Sequence, residues 1–454
     1  MDWSNFKEAR VALLGAGKEN LSLVKPLLAA KAALTILEQS SDFALDEQYK
    51  GVEVITGSDY LQDLGRFQYL LRSPGFPVAK LKQALKESGA SQVICTSATD
   101  LFLSMEGHRT IGVTGTKGKG TTAMMIGSIL KESGRPYVVA GNIGLPAFEA
   151  LESCDDQTMI VLELSSFQLE DVNHSPHIAV VLPIYPDHLE PLSKQSPNYH
   201  GSVRDYVEAK AKIGLYQKPT DLIIFAGSNE FAAGIAERSS GKKLVVSSEP
   251  GAYVRLNNSV VELSNQEKME LSKLGLRGGH FFLDAALAVA CAKALNLSKA
   301  SIEGGLMKFR SLPHRLEVVS RGEGITYVDD SYATTPESAI MALESFSEPL
   351  VWIGGGSSKG ADFTELAQKI KGKAVGAVLL GQEAPRLSAA LHQTGFKGDI
   401  VFVSSMEEAV EAASKLLGGA GVVLLSPGCA SKDMFKDAAQ RGDIFKTAVN
   451  EQED

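Results

Sequence analysis

The chain has 454 residues, of which 44% are hydrophobic and 22% are charged, and its formal net charge at pH 7 is −9. This composition is typical of a globular protein, and no apolar run approaches the ~20 residues that a membrane span requires. The acidic balance argues against a general nucleic-acid binder, and MDWSNFKEAR is unlike a signal peptide, so we expect a cytoplasmic protein that binds no membrane.

The length predicts more than one domain, and we expect three α/β domains. In the first, residues 1–106, apolar runs of strand length alternate with helical patterns, which predicts a largely parallel, Rossmann-like sheet. Its first strand ends in Gly15-Ala16-Gly17, Asn20 replaces the third glycine of a dinucleotide fingerprint, and Glu38 closes the next strand. This pattern fits a nucleotide-binding turn, and it also fits a tight turn without a ligand.

The second domain, residues 107–311, opens with the strand TIGVTG and continues through YVVAGN, TMIVLELSS and IAVVLPIYPDH. These Val/Ile/Leu-rich runs end in polar clusters, as expected for buried parallel strands whose carboxyl ends carry a site. We therefore predict a central parallel sheet of the P-loop ATPase type.

A glycine-rich loop lies between the first of these strands and an apolar helix. Its residues are Gly115, Thr116, Lys117, Gly118, Lys119, Gly120, Thr121 and Thr122. Glycine lets backbone N–H groups approach a ligand closely, and the start of a helix presents the positive end of its dipole. We interpret the loop as a phosphate site in which Lys119 reaches the outer phosphates of a nucleotide and a threonine hydroxyl meets Mg²⁺. A flexible turn is the alternative.

Two later strands of the second domain end in groups that suit such a site. Glu163 stands where a carboxylate would hold Mg²⁺ beside the phosphates, and Asp187-His188 follows the next strand. Taken singly, such residues are more often a solvated carboxylate and a structural histidine. Because parallel strands end at one edge of a sheet, we expect the three features to converge.

The third domain, residues 312–454, shows the same alternation, with ITYVDDS, LVWIGGG, AVGAVLLG, DIVFVSS and GVVLLSPG as strands. We expect a C-terminal Rossmann-like α/β domain. The four cysteines of the whole chain lie far apart without CxxC spacing, which indicates neither a zinc site nor a disulfide framework.

An ordered set of motifs resembles the Mur ligases of peptidoglycan synthesis, and it spans nearly the whole chain. The motifs are GTKGKGTT, GNIG (141–144), ELSSFQ (163–168), PDH (186–188), YVEAK (206–210), LPHRLE (312–317), DDSYATT (329–335), GGGSSKGADF (354–363) and SPGCASKDMFK (426–436). The resemblance is strongest to the members that add D-glutamate. It implies UDP-N-acetylmuramoyl-L-alanine, ATP and D-glutamate as substrates, Mg²⁺ as cofactor, and a monomer.

The resemblance also implies a mechanism and roles for residues of the second domain. ATP phosphorylates the terminal carboxylate of the UDP-sugar substrate, and the incoming amine attacks the acyl phosphate. Lys119 would contact the β- and γ-phosphates, and Glu163 and His188 would hold Mg²⁺ together with Thr121. Lys210 matches a lysine that the family carbamylates, which creates a carboxylate able to bind a second Mg²⁺.

For the other ligands, the resemblance assigns residues in all three domains. UDP-sugar binding falls to Gly15, Gly17, Glu38 and Ser73 in the first domain and to Asn142, Ser165 and Gln168 in the second. Arg315 and Asp330 would meet ATP, Arg315 only after the third domain swings about a hinge near residues 310–313. Thr334, Lys359 and Ser431 would bind the carboxylates of the amino acid.

Several positions depart from the family pattern. Gly120 stands where a hydroxyl follows the P-loop lysine, and the adenine-site signature HNxxN reads HFFLD at residues 280–284. Tyr332 replaces a lysine, and Lys432 and Ala438 replace two apolar residues of the D-glutamate pocket. The same ligase chemistry with another amino acid, such as L-glutamate, is therefore an alternative. Further alternatives are a non-catalytic UDP-sugar-binding homologue, an NAD-dependent dehydrogenase and a folylpolyglutamate synthase.

Overall fold

The computed structural model describes residues 3–46, 49, 51–189, 198–263, 267–274, 279–310, 313–322, 324–346, 348–358 and 361–453. The chain divides into a first unit, Met1–Gly275 with Phe282–Lys308, and a second unit, Leu276–Phe281 with Phe309–Asp454. Three separate sheets confirm the expected three-domain α/β class: two lie in the first unit and one in the second. The domain limits 1–106, 107–311 and 312–454 stay predictions.

The first sheet has the order β3-β2-β1-β4-β5, and all its strands are parallel, as the alternating pattern predicts. Its strands are β1 Arg10–Leu14, β2 Ala33–Glu38, β3 Glu53–Thr56, β4 Tyr69–Arg72 and β5 Ile94–Ser97. The helices of this region are α1 Lys18–Ser22, α2 Val24–Ala29, α3 Val78–Glu87 and α4 Ala98–Glu106. Since β1 lies between β2 and β4, the carboxyl ends of these three strands adjoin at the point where the strand order reverses.

The second sheet has the order β14-β13-β12-β11-β10-β9-β6-β8-β7. Its strands are β6 Thr110–Thr114, β7 Tyr137–Gly141, β8 Met159–Glu163, β9 Ile178–Val181, β10 Leu222–Ala226, β11 Lys242–Ser247, β12 Val254–Asn257, β13 Val260–Leu263 and β14 Lys268–Glu270. Its helices are α5 Lys119–Glu132, α6 Ala147–Ala150, α7 Ser166–Leu169, α8 Val203–Leu215, α9 Glu230–Arg238, α10 Gly279–Ala294 and α11 Lys299–Lys308. β13 is antiparallel to both β12 and β14, and the other pairs are parallel. β6 lies between β8 and β9, so the loops after these three strands meet.

The third sheet has the order β15-β16-β20-β17-β18-β19, and only the edge pair β15–β16 is antiparallel among its described strands. Its strands are β15 Glu317–Gly322, β16 Ile325–Asp329, β17 Leu350–Gly355, β18 Ala374–Leu380, β19 Asp399–Phe402 and β20 Gly421–Leu425. Its helices are α12 Pro336–Glu344, α13 Thr364–Lys373, α14 Ala384–Thr394, α15 Met406–Leu417 and α16 Ala438–Glu453. The loops after β16, β20 and β17 adjoin at one edge.

The two sheets of the first unit share one apolar core. A single cluster of buried side chains extends from Phe6 through Phe102 and Phe148 to Ala236. Arg72, at the end of β4, is fully buried and reaches from the first sheet to the region of the second, where it donates to Asp171 at 2.5 and 2.9 Å and to the Phe167 carbonyl at 2.8 Å. These contacts fix the first sheet against the second.

The four cysteines carry free thiols: Cys291 and Cys429 are buried, Cys154 is half-buried and Cys95 is exposed. Within the described part of the chain, every helix is too short or too polar to cross a membrane.

Candidate functional site

The turn after β1 brings together the residues predicted at the sugar-nucleotide end. Gly15 has φ +86°, and both Gly15 and Gly17 pack on Ser73, so a Cβ on Gly17 would lie 2.8 Å from the Ser73 hydroxyl oxygen. Glu38 accepts hydrogen bonds from Ala16 N at 2.8 Å and from Gln39 N at 2.8 Å. The carboxylate therefore caps the turn itself.

Asn20 explains how this turn departs from a dinucleotide fingerprint. Its buried side-chain amide donates to the carbonyl oxygens of Leu14, Gly15 and Leu71 at 2.9 to 3.1 Å. Asn20 thus joins the turn after β1 to β4. A glycine at position 20, as in the fingerprint, would have no side-chain donor for these carbonyl oxygens.

The glycine-rich loop after β6 adopts backbone angles that require glycine at two positions. Gly115 has φ +154° and packs on Leu182, while Gly118 has φ +82° and immediately precedes α5. Lys119, Gly120 and Thr121 form the first turn of α5, whose N–H groups have no partner within the helix. Backbone donors and the positive helix end therefore face the loop, as a phosphate site requires.

Two threonines of this loop point inward rather than to the surface. Thr122 is fully buried, and the Thr116 hydroxyl lies 3.0 Å from both the Tyr185 carbonyl oxygen and the Tyr206 hydroxyl. The hydroxyl also accepts from Tyr185 N at 2.9 Å. Thr116 consequently holds the segment after β9 against the glycine loop. Thr121, in contrast, is half-buried in the first turn of α5.

Lys119 and Glu163 form the charged pair of the site. The Lys119 ammonium donates to the Thr116 carbonyl at 3.1 Å and lies 3.8 Å from Glu163 Oε1. Glu163 is 2% exposed at the end of β8, and its Oε2 atom is buried with no hydrogen-bond partner in the part of the chain that the structure describes. An orphaned carboxylate oxygen beside a phosphate loop suits a hard cation such as Mg²⁺.

His188 and Lys210 complete this group. His188 has φ +56°, a conformation that costs energy for a non-glycine residue and clusters at functional sites. Burial, followed by the charge of nearby Lys119, lowers the pKa of Lys210 well below its usual value. The Lys210 side-chain nitrogen lies 2.8 Å from the Gly115 carbonyl oxygen and 4.8 Å from the centre of the Tyr206 ring.

The loop after β8 is held by a capping box. Ser165 Oγ accepts from Gln168 N at 3.2 Å, and Gln168 Oε1 accepts from Ser165 N at 2.7 Å. The Gln168 amide nitrogen donates to Glu19 of the first sheet's region. Asn142 is exposed and donates its backbone N–H to the Glu163 carbonyl at 3.0 Å. The Gln168 side chain is therefore occupied by hydrogen bonds that hold the loop after β8, whereas the Asn142 side chain is accessible to solvent.

Sequence reasoning missed His200, which lies within this cluster. Its ring stacks on Phe167 at 4.8 Å and 3°, and its Nε2 lies 2.9 Å from Ser166 Oγ. Its backbone N–H donates to the His188 carbonyl at 2.9 Å. Burial lowers the pKa of His200 to about 4, so the ring is neutral at physiological pH. In the sequence, His200 is a single histidine after a polar segment, and no motif marks it as a contact of Phe167 and Ser166.

Asp284 lies beneath the glycine loop, at the last position of the HFFLD sequence. A Cβ on Gly118 would overlap its carboxylate. Burial raises the pKa of Asp284 well above its usual value. This departure from the family signature is thus a buried carboxyl group packed under the phosphate loop.

In the second unit, two consecutive carboxylates hold the segment that carries Arg315. Asp329 lies 2.7 Å from His314 Nδ1, and Asp330 accepts from Leu316 N at 3.2 Å and from Ser426 Oγ at 2.8 Å. Burial raises the pKa of Asp330 to about 7. The Arg315 guanidinium lies 5.3 Å above the ring of Tyr332, so the residue that replaces the family's lysine forms a cation–π contact.

The predicted amino-acid-binding residues follow β16 and β20 in the second unit. Thr334 is half-buried, Ser431 is 4% exposed, and Lys432 is exposed. The Ala438 carbonyl accepts from Ser331 Oγ at 2.7 Å. Lys359 lies outside the described residues.

Comparisons with known proteins agree with these motifs. Residues 113–292 match the Mur ligase middle domain, and residues 314–429 match the family described as Mur ligase, glutamate ligase domain. The chain is 34% identical over 459 residues to the UDP-N-acetylmuramoylalanine--D-glutamate ligase of Pelotomaculum thermopropionicum, with 98% of each chain covered. It is 31% identical over 457 residues to the enzyme of that name from Clostridioides difficile, with 98% of this chain and 99% of the relative covered.

A solved structure has the same fold. The chain is similar to the UDP-N-acetylmuramate-alanine ligase MurC of Thermotoga maritima, with a TM-score of 0.60 and 18% identity over 98% of this chain and 100% of that one. At this identity the likeness concerns the fold alone.

Proposed function

The chain belongs to the Mur ligase family and is an ATP-dependent ligase, and from this premise we propose that it joins D-glutamate to UDP-N-acetylmuramoyl-L-alanine during peptidoglycan precursor synthesis. Full-length similarity to relatives of that name supports the choice of substrates. The observation that carries the chemistry is the carboxylate of Glu163 beside the glycine loop. Its Oε2 is buried with no hydrogen-bond partner among the described residues, and its Oε1 lies 3.8 Å from the Lys119 ammonium.

The reaction has two steps that need charge stabilisation rather than a nucleophilic side chain. An oxygen of the alanyl carboxylate attacks the γ-phosphorus of ATP, and ADP leaves. The amine nitrogen of the amino acid then attacks the acyl carbon, loses a proton, and inorganic phosphate leaves as the amide forms. Both steps concentrate negative charge, which Lys119 and the N–H groups of α5 are arranged to offset.

Glu163, His188 and Thr121 fit a Mg²⁺ site, because they offer an orphaned carboxylate oxygen, a ring nitrogen and a hydroxyl around the glycine loop. The ion would neutralise phosphate charge there. The loop residues Gly115, Lys117, Gly118 and Gly120 bind the phosphates through backbone and charge, while Thr116 and Thr122 hold the loop's shape.

We extend the proposal to carbamylation of Lys210. The reaction of CO₂ with an amine gives a carbamate and a proton, and it requires the neutral amine that burial favours here. ¹³CO₂-labelled protein should show a carbamate carbon signal that disappears in Lys210→Arg and persists in Lys212→Arg, a variant of the half-buried lysine two residues further along α8. A signal that persists in Lys210→Arg would contradict the modification.

The remaining ligand assignments follow the family. The turn at Gly15 and Gly17, with Glu38 and Ser73, would receive the UDP part, and the exposed Asn142 would meet the peptide end, with Ser165 and Gln168 supporting that loop. Thr334, Lys359 and Ser431 would bind the amino acid's carboxylates. Arg315 and Asp330 are assigned to ATP.

The decisive experiment measures phosphate release from ATP with Mg²⁺ and UDP-N-acetylmuramoyl-L-alanine against D-glutamate, L-glutamate and a panel of other amino acids. We expect release with D-glutamate alone. Release with a different amino acid would retain the mechanism and assign Tyr332, Lys432 and Ala438 to the altered pocket. No release with any amino acid would contradict the proposed function.

A further inference from the structure

Arg441 is a buried cation of the second unit that the proposed chemistry does not use. It lies in the first turns of α16 and is 1% exposed. Its Nε donates to Ser331 Oγ at 2.9 Å, and its Nη2 donates to the Ser331 carbonyl at 2.7 Å. Its Nη1 donates to the carbonyls of Cys429 at 3.2 Å and Ala430 at 3.4 Å. One guanidinium thus spans two loops.

A third loop joins them through Ala430. Ser357, in the glycine-rich segment after β17, donates its N–H to the Ala430 carbonyl at 2.8 Å. A Cβ on Gly356 would lie 3.2 Å from Arg441 Nη1, so this segment packs directly against the guanidinium. Thr334, Ser431 and Lys359, the predicted carboxylate-binding residues, follow within three residues of these anchors on the three loops. Arg441 therefore contacts the three loops that carry these residues in the sequence.

The partners of Arg441 are neutral. They are carbonyl and hydroxyl oxygens, and among the described residues no carboxylate lies within 4.0 Å of the guanidinium as an ion pair. Burial lowers the pKa of Arg441 to about 10, which leaves the group charged at physiological pH. The carboxylates of Asp433 and Asp329 raise its pKa through longer-range attraction, so they offset part of the positive potential and leave no direct ion pair among the described residues.

We propose that Arg441 is a positioning residue for the two carboxylates of the incoming amino acid: it holds the loops after β16, β20 and β17 in one arrangement and adds positive potential behind them. Planar, five-donor geometry suits this task, because one rigid fork satisfies carbonyls from different loops at once. The inference rests on the proposed function, since it assumes that these loops bind an amino acid.

The kinetic test compares Arg441→Lys with Phe445→Leu. Lysine keeps the charge and loses the planar five-donor geometry. Phe445, fully buried one turn further along α16, packs in an apolar cluster and has no side-chain donor to bond the loop carbonyls. We expect Arg441→Lys to raise the KM for D-glutamate about tenfold or more, with kcat and the KM for ATP changed less than about threefold. Phe445→Leu should lower the melting temperature without this selective change. Equal effects of the two variants, or an unchanged KM for D-glutamate in Arg441→Lys, would overturn the proposal.

Hydrogen exchange separates this inference from the proposed function, because it needs no substrate. We expect faster exchange in Arg441→Lys confined to residues 330–334, 355–358 and 428–433. Uniformly faster exchange throughout the second unit, or none, would overturn the positioning role. If the wild-type chain does not use D-glutamate, the proposed function fails, while the exchange result still decides whether Arg441 orders the loops.

Discussion

Glu163 and Lys210 show how burial prepares single side chains for chemistry in opposite ways. Glu163 holds a buried carboxylate oxygen that has no hydrogen-bond partner among the described residues, which costs folding free energy that a bound cation would recover. Burial lowers the pKa of Lys210 well below its usual value, which favours the neutral amine that reacts with CO₂. Both burials therefore lower the free energy of unfolding, and they do so at the side chains that are expected to bind a ligand or react.

Replacing Glu163 with glutamine should separate activity from stability. We expect Glu163→Gln to lose at least about 100-fold in ligase activity, because the amide is a poor ligand for Mg²⁺. Its melting temperature should equal or exceed that of the wild type, because a neutral amide costs less to bury than a charge. Addition of Mg²⁺ with ATP should raise the melting temperature of the wild type more than that of the variant.

A matched control is Glu106→Gln, which also removes a buried carboxylate. Glu106 is 7% exposed and lies 2.6 Å from Arg109 Nε, so its loss should lower the melting temperature and leave activity within about twofold. Comparable stability losses in both variants, with activity retained in Glu163→Gln, would show that Glu163 is an ordinary structural carboxylate.

At the scale of elements, the junction between the glycine loop and α5 depends on Gly118. Gly118→Ala should weaken ATP binding about tenfold or more, because alanine is strained at φ +82° and its Cβ would overlap Asp284. Gly134→Ala is the control at the other end of α5. Gly134 has φ +74°, and no atom of the described residues lies within 4 Å of an added Cβ, so the strain is similar and the space is open. Calorimetric titration with ATP should detect a loss only in Gly118→Ala; equal affinities would contradict the packing argument.

The contact between α1 and the capping box of α7 should make stability depend on pH. Burial raises the pKa of Glu19 to about 7, above its ordinary value of 4.5, so the folded chain binds more protons than the unfolded chain between these values. The free energy of unfolding should therefore fall as pH rises from about 4.5 to about 7. Glu19→Gln should remove this decline and exceed the wild type by on the order of 2–3 kcal/mol at pH 8.

Urea denaturation of the wild type, Glu19→Gln and the exposed control Glu149→Gln at pH 5 and pH 8 measures the effect. Glu149→Gln should follow the wild type at both values. If the free energy of unfolding changed between pH 5 and pH 8 by the same amount in the wild type and in Glu19→Gln, Glu19 would be ionised in the folded chain.

The strands and the edge on which the site lies could be predicted from the sequence. The runs ending in Gly15, Thr114 and Glu163 are buried parallel strands in the structure, and a strand covered on both faces has to be apolar on both. The run ending in Asp329 is parallel to β20 and antiparallel to the edge strand β15. Because parallel strands end together, the convergence of the glycine loop with Glu163 followed from the order of these runs.

The supporting side chains could not be predicted in this way. Glu19 and Gln168 are 149 residues apart in the sequence, and Arg441 lies on a helix of polar composition where an exposed arginine is the ordinary expectation. Their roles depend on burial and on long-range contacts, which neither periodicity nor a short motif records. The antiparallel strands β12, β13 and β14 were likewise not singled out, because their runs are short and partly polar.

For the whole molecule, three sheets do not imply three independently stable parts. The first sheet contributes to an apolar core that continues into the region of the second, and its fully buried Arg72 finds its carboxylate partner, Asp171, outside the first 106 residues. The third sheet has separate apolar clusters on its two faces, built from residues 316–449 alone. The first sheet has a cluster of its own, built from residues 12–93, but its other cluster is shared with the region of the second sheet. The second unit thus contains its own core on both faces of its sheet, whereas the first sheet completes one of its two clusters only with residues beyond 106.

We therefore expect the fragment 309–454 to fold by itself and the fragment 1–106 to remain unfolded or aggregate. Separated from residues 107–308, the short fragment would expose Phe102 and leave the Arg72 guanidinium without the carboxylate that balances its burial, a loss of several kcal/mol against a marginal total. Dispersed ¹H–¹⁵N spectra and a cooperative thermal transition would identify folding, with fragment 1–308 as the control that restores both contacts. A cooperatively folded 1–106 fragment would show that the contacts of Arg72 with Asp171 and Phe167 are dispensable, and it would favour three autonomous domains over two units.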